Sequence, residues 1–357
     1  MKSIKIIGGA IFVGLVFSGC SVAPSKNATG PVSFTFSQSI FKTTNGGTEW
    51  KVENKGEGKA NTTNVDVLNL VVNQQDGNNV YAGLRSGGIM ETVNGGETWK
   101  SMNNFISEKV YGLALDTTTG KTLYASGVWQ GTGKIFKTSD DGTTWKEMYT
   151  SPSNGPLVIS LFISQKNHNV LYATTSDNAV IKSVDAGVSW KSIFNASAPV
   201  LKVAEDAHSG DLLYAVTLSG TVFRSSDGGA KFEDITAKVG KATNSYGGGG
   251  STVLEADPSV GNRVYLAGSS GLLVSDDGGD NWRAIATLNN PQTFPVKAMA
   301  VNPRNSKEII CGAVQATYKS IDGGENWITS QFDNKMTLRT IKYNLENPSE
   351  IYLGFTN

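Results

Sequence analysis

Few side chains of this chain are spaced to do chemistry together. Its two histidines, His168 and His208, each sit among Asn, Ser and Gly and read as solvent-exposed turn residues. No His/Cys cluster has the spacing of a zinc site. The acidic pairs Asp140-Asp141 and Asp276-Asp277 suggest calcium, but lack the alternating ligand series of a calcium loop. Gly247 to Gly250 is glycine-rich without the Lys-Ser/Thr that completes a phosphate cradle. The sequence thus predicts no metal, no cofactor and no catalytic residue. Binding chemistry is better represented. Trp129 and Gln130, in Val128-Trp129-Gln130-Gly131-Thr132-Gly133, pair an aromatic plate with an amide. That combination stacks on a sugar or anchors a protein partner. Phe105, Tyr246 and Phe294 are further aromatics in loop-like sequence, and Arg85 follows an apolar run.

The elements that would position these residues repeat. A turn pattern, Ser/Thr-x-Asp/Asn-x-Gly-x-x-Trp/Phe, occurs seven times. It begins at Thr43, Thr92, Thr138, Ser183, Ser225, Ser275 and Ser320, with intervals of 49, 46, 45, 42, 50 and 45 residues. Its acidic or amide position is Asn45, Asn94, Asp140, Asp185, Asp227, Asp277 and Asp322. That side chain bonds backbone N–H groups and mimics a turn. The glycine supplies positive φ, and the hydroxyl adds a second local bond. Trp129 is the one Trp outside this pattern.

Each pattern follows a short β-rich run, such as Val180-Ile181-Lys182. Motifs two to seven are also preceded by a pair such as Leu171-Tyr172, and earlier by an apolar run. One period therefore holds four strands, A to D, with A innermost and the turn joining C to D. Four strands per ~45 residues is a propeller blade. After the last motif the chain carries A-like (Leu338 to Tyr343) and B-like (Ile351 to Phe355) runs and no C or D. Before the first motif the reverse holds. The prediction is an all-β, single seven-bladed β-propeller of four-stranded antiparallel blades, closed by a blade shared between the termini. The turns and A–B links then share one face. The D–A and B–C loops share the other, which would carry Trp129, Arg85, Phe105, Tyr246, Phe294 and the carboxylates Asp66, Glu108 and Asp177.

The seven motifs resemble the Asp-box repeat of bacterial neuraminidase type, over roughly residues 33–357. The resemblance implies a propeller and a structural role for the box. It also implies four functions found on this fold: sialidase, xyloglucan-active glycoside hydrolase, sortilin-type receptor domain and photosystem II assembly factor. A sialidase is expected to show an Arg-Ile-Pro sequence, and none of the six arginines is followed by Ile-Pro. The xyloglucan enzymes place two carboxylates in a cleft between two propellers, whereas this chain encodes one.

Residues 1–19 read as an export signal: Lys2 and Lys5, then an apolar stretch ending Leu15-Val16-Phe17-Ser18-Gly19-Cys20. The end resembles a bacterial lipobox, with Cys20 as the lipidated residue. Residues 20–32 form a flexible tether, and 33–357 the propeller. Cys311, in a strand-like run, reads as a buried hydrophobe. Removing the signal leaves 29 basic and 31 acidic residues, a charge of −2. With no basic stripe, nucleic acid is not an expected partner. The expectation is a monomeric, exported lipoprotein at the outer membrane or cell surface, touching the membrane through its lipid anchor alone. It binds a protein or extracellular glycan on the D–A/B–C face. The alternatives are a polysaccharide-active enzyme and an assembly-factor-like scaffold.

Overall fold

The computed structural model describes residues 38–57, 65–105, 109–153, 155–242 and 251–357. They form a seven-bladed β-propeller of four-stranded antiparallel sheets. Blade 2 shows the plan: A is Val67–Val72, B is Val80–Leu84, C is Ile89–Thr92 and D is Lys100–Ser101. Blades 3 to 7 repeat it in chain order. Their A strands are Lys109–Leu115, Val158–Ile163, Val200–Glu205, Ser251–Ala256 and Ala298–Asn302. Blade 1 is built from both ends. Its C strand Ile40–Thr43 pairs with its B strand Ile351–Thr356 in the register Ile40↔Gly354 to Thr43↔Ile351. Thr337–Tyr343 supplies A and Lys51–Val52 supplies D.

The turn motif makes the same bonds in all seven blades. The glycine N–H donates to the Ser/Thr Oγ at 2.8–3.0 Å. The N–H four residues after each Asx donates to its Oδ1, also at 2.8–3.0 Å. The seven glycines hold φ between +79° and +98°, a region costly for any residue with a Cβ. Asn45 and Asn94 make the Oδ1 bond as the aspartates do, so the local geometry needs an oxygen rather than a charge.

These turns also lock neighbouring blades. The aromatic of the B-strand aliphatic-Tyr pair is buried and lies opposite the C-strand residue that precedes the Ser/Thr. Examples are Tyr172↔Lys182 and Tyr352↔Lys42. Both side chains reach the next blade's turn carbonyl. Tyr172 Oη and Lys182 Nζ donate to Gly228 O at 3.3 and 2.8 Å, with the ammonium 5.2 Å from the Tyr172 ring centre. Tyr124 donates to Ala186 O, Tyr352 to Gly95 O, Arg224 to Gly278 O and Lys319 to Gly46 O. Arg224 is one of these junction residues. It is 17% exposed, tied also to Glu233 and Asp280, and it bridges blades 5 and 6. In blades 2 and 6 the cation's position is occupied by Glu91 and Val274 instead. The apolar core lies between blades. Ile40, Val67, Leu70, Trp99 and Tyr352, for example, fill the gap between blades 1 and 2. Cys311 lies in another such layer, where burial pushes its thiol up to about 12.

One local expectation is corrected. His168 is half-buried rather than exposed, its Nδ1 2.9 Å from Asp116 Oδ1 of blade 3, because the A–B link folds back against the neighbouring blade. After the blade 5 D strand, Thr236–Gly240 forms a short helix with Val239 buried.

Two predictions follow from these bonds. Burial opposes the ionisation of Asp185, Asp277 and Asp322 only weakly, and bonds from Ser, Asn and backbone N–H groups hold their carboxyls at about 2. Folded-state values below the unfolded value mean that this stabilisation is complete above about pH 4 and is lost as pH falls toward about 2. Denaturant midpoints measured across that window should fall with pH, and the combined Asp→Asn substitutions should flatten the slope. Lys319→Met removes the bond to Gly46 O across the closure between blades 7 and 1, together with the ion pair to Glu308 within blade 7. It should cost about 2 kcal/mol in urea unfolding.

Candidate functional site

The seven A strands surround a central channel, and its two mouths differ in chemistry. At the loop-face mouth, six A strands carry a β-bulge near their start. The extra residues are Leu68, Tyr111, Ile159, Leu201, Thr252 and Arg339. A bulge leaves one residue outside the ladder and re-aims its side chain. The bulged residues are accessible, whereas the preceding Val67, Val110, Val158, Val200 and Leu338 are buried. The result is a largely apolar ring with one arginine.

Arg339 makes no hydrogen bond or ion pair among the described residues. Its side chain is exposed at the mouth, where the surrounding channel wall and then repulsion from Arg85 push its guanidinium below the ordinary arginine value. It stays charged at any physiological pH. Arg85 closes the end of the blade 2 B strand. Its Nε lies 3.2 Å from Asp66 Oδ2, and its Nη2 donates to Thr356 Oγ1 at 3.1 Å. Asp66 also accepts from the Asn357 N–H. Lys297, exposed, precedes the blade 7 A strand, so basic groups from blades 7, 1 and 2 meet along one arc. These residues are far apart in the chain, which is why no basic stripe is visible in the sequence.

The aromatic candidates separate. Trp129 is not in a long loop. The B strand Leu123–Trp129 and C strand Thr132–Thr138 continue as one hairpin, with Trp129 opposite Thr132. Gln130 and Gly131 turn it at φ +50° and +75°, a two-residue hairpin geometry. Trp129 packs half-buried against the layer between blades 2 and 3, while Gln130 is exposed at the tip. Phe105 is not available to a ligand. It is 9% exposed, with Trp145 and Phe136 ring centres at 4.6 and 5.6 Å, because its D–A loop folds inward under the blade 3 turn. Phe294 is 50% exposed on the loop between blades 6 and 7, beside exposed Leu288. Tyr246 and Glu108 lie outside the described residues, as do Cys20 and the whole of 1–37. Asp177 accepts from Thr175 Oγ1 inside its own B–C turn. The structure thus brings Arg85 to Arg339, a residue that sequence reading assigned no role. It leaves Trp129 and Phe294 on the rim.

The opposite mouth was not anticipated. A cavity of about 550 Å3 opens there, lined by the C-terminal ends of all seven A strands. Each A strand ends on a second repeated turn. Asn73, Asp116, Ser164, Asp206, Asp257, Asn302 and Asn344 each accept the N–H two residues on.

No protein-family model matches the chain. Among curated proteins it is similar to the photosystem II assembly lipoprotein Ycf48 of Synechococcus sp. (strain CC9902). The two are 24% identical over 255 residues, 68% of each chain. Among solved structures it is similar to the GH74 xyloglucanase from Xanthomonas campestris, with TM-score 0.66 and 14% identity over 82% of this chain. The chain spans about half of that enzyme, 51% of its length. It is also similar to YCF48 bound to D1 peptide, with TM-score 0.60 and 15% identity over 82% of this chain and 93% of the other. At such identities the structural likeness shows the propeller fold.

Burial makes a direct prediction for the two loop phenylalanines. Phe105→Ala should destabilise by about 3–5 kcal/mol in chemical denaturation. Phe294→Ala should stay within about 0.5 kcal/mol of the wild type.

Proposed function

We propose that this chain is a non-catalytic, lipid-anchored cell-envelope protein whose propeller binds a protein partner at the loop-face mouth of the channel. The partner presents an extended segment with a carboxylate flanked by apolar side chains. The observation that carries this reading is Arg339, a cation at the channel mouth with no carboxylate partner among the described residues, set in a ring of Leu68, Tyr111, Ile159 and Leu201. Such a group gains a charge-assisted bond when a carboxylate enters, and the neighbouring apolar residues gain burial. Arg85, Trp129 and Phe294 extend the contact outward, with Gln130 at the hairpin tip. A solved protein of the same fold holds a peptide, and the similar curated protein is an assembly lipoprotein. Both support a protein partner and a scaffold role. Lys2, Lys5 and the run to Cys20 support export and anchoring.

The test is fluorescence anisotropy with labelled peptides carrying Asp or Glu between Leu or Phe residues, against versions with Gln. The acidic peptides should bind more tightly and lose affinity with added salt. Arg339→Ala should weaken them about tenfold or more, the loss of one charge-assisted bond. Equal affinity for the neutral peptides, or release of sugars from a xyloglucan oligosaccharide, would contradict the proposal.

A further inference from the structure

We propose that the cavity at the turn-motif mouth of the channel is a binding site for a small amphipathic monocarboxylate, with Lys342 receiving its carboxylate. The site lies at the other end of the channel from Arg339 and does not depend on the function proposed above.

The cavity is divided by chemistry. Two residues before each A-strand end turn, the side chains lining it are Val71, Ala114, Phe162 and Ala204 in blades 2 to 5, an apolar side. On the other side, Glu255 of blade 6 pairs with Lys202, which stands two residues before Ala204 on the blade 5 strand, blade 7 offers only Ala300, and blade 1 places Lys342. At about 550 Å3 the space suits a small ligand whose apolar body fills one side while a few polar groups fix its orientation.

The charges in the wall are each accounted for except one. Glu255 is taken by Lys202. Glu205 accepts from Ser164 Oγ at 2.6 Å and from the Gln165 N–H at 2.7 Å. Asp257 is buried, its Oδ1 accepting from the Ser259 N–H and Oγ and the Val260 N–H, while its Oδ2 makes no hydrogen bond and lies 3.8 Å from the Arg263 guanidinium. Lys342 makes no hydrogen bond or ion pair among the described residues. Burial pushes its ammonium below the ordinary lysine value, and Lys202 adds to this, while Glu255 acts in the opposite direction. A half-buried cation with no bonded counter-charge is poorly solvated, and an entering carboxylate offsets that cost. A second ammonium, Lys202, gives the anion a further favourable neighbour, and Phe162, stacked on Tyr172 at 5.0 Å, provides a firm apolar wall.

The experiment is isothermal titration and ligand-observed NMR of residues 33–357 with benzoate and hexanoate. Benzamide and hexylamine serve as controls. Lys342→Met, close in length and uncharged, and Lys342→Arg are the variants. The carboxylates should bind saturably and the controls should not. Lys342→Met should lose about tenfold or more in affinity while melting at a higher temperature than the wild type without ligand. Lys342→Arg should retain binding, and Arg339→Ala should leave it unchanged. Absence of saturable carboxylate binding by the wild type would overturn the proposal. So would full affinity in Lys342→Met, or a lower melting temperature for that variant, which would mean that the ammonium serves the fold.

Discussion

The architecture depends on a bond between a hydroxyl and a glycine. When the Ser or Thr Oγ accepts the N–H four residues later, and the Asx oxygen accepts the N–H four residues after itself in the same turn, the C–D link is fixed in one shape. Its carbonyl then projects toward the preceding blade, where a buried tyrosine and a lysine or arginine donate to it. A motif that is local in sequence thus sets a contact that is remote. At five of the seven junctions, among the described residues, the turn carbonyl of one blade is held by a donor from the blade before it. The arrangement is complete only if the last blade meets the first, which pairing of Ile40–Thr43 with Ile351–Thr356 provides.

Closure in turn creates the two candidate sites. Seven A strands packed as a ring leave a channel that no single blade could form. The bulges at one end turn a residue inward from six blades, five of them uncharged and one Arg339. At the other end the strands run straight into their end turns, and the side chains two positions earlier line the cavity. Regular hydrogen bonding builds both mouths, and the departures from regularity (Arg339 among uncharged bulge residues, Lys342 opposite apolar ones) give them chemistry. The turn carboxylates are already committed to backbone N–H groups, which makes them parts of the frame.

The fold was legible because its determinants are short-range. Seven turns, their spacing and the truncated end repeats carry the blade number and the closure. The second turn family is equally legible, since Asn73, Asp116, Asp206, Asp257, Asn302 and Asn344 all stand just after an A-strand apolar run. The bulges were not legible. A bulge exists only relative to the partner strand, and nothing in Leu338-Arg339-Thr340 alone marks Arg339 as the extra residue. Phe105 and Phe294 look alike in sequence, both in D–A loops, and only packing against Trp145 separates them. Gln130-Gly131 carries a weaker hairpin signal than Asn-Gly, so a continuous hairpin reads as a loop.

The central claim is that partners meet this propeller at the mouth where the bulges lie, while the repeated turns serve the frame. Its most direct test is photo-crosslinking of an acidic peptide with a central photoreactive phenylalanine to the intact chain, followed by mass-spectrometric mapping. The account predicts adducts within the A-strand starts around Leu68, Tyr111, Ile159 and Arg339. Adducts concentrated on the turns around Asp185, Asp277 and Asp322, or spread evenly over both faces, would contradict it.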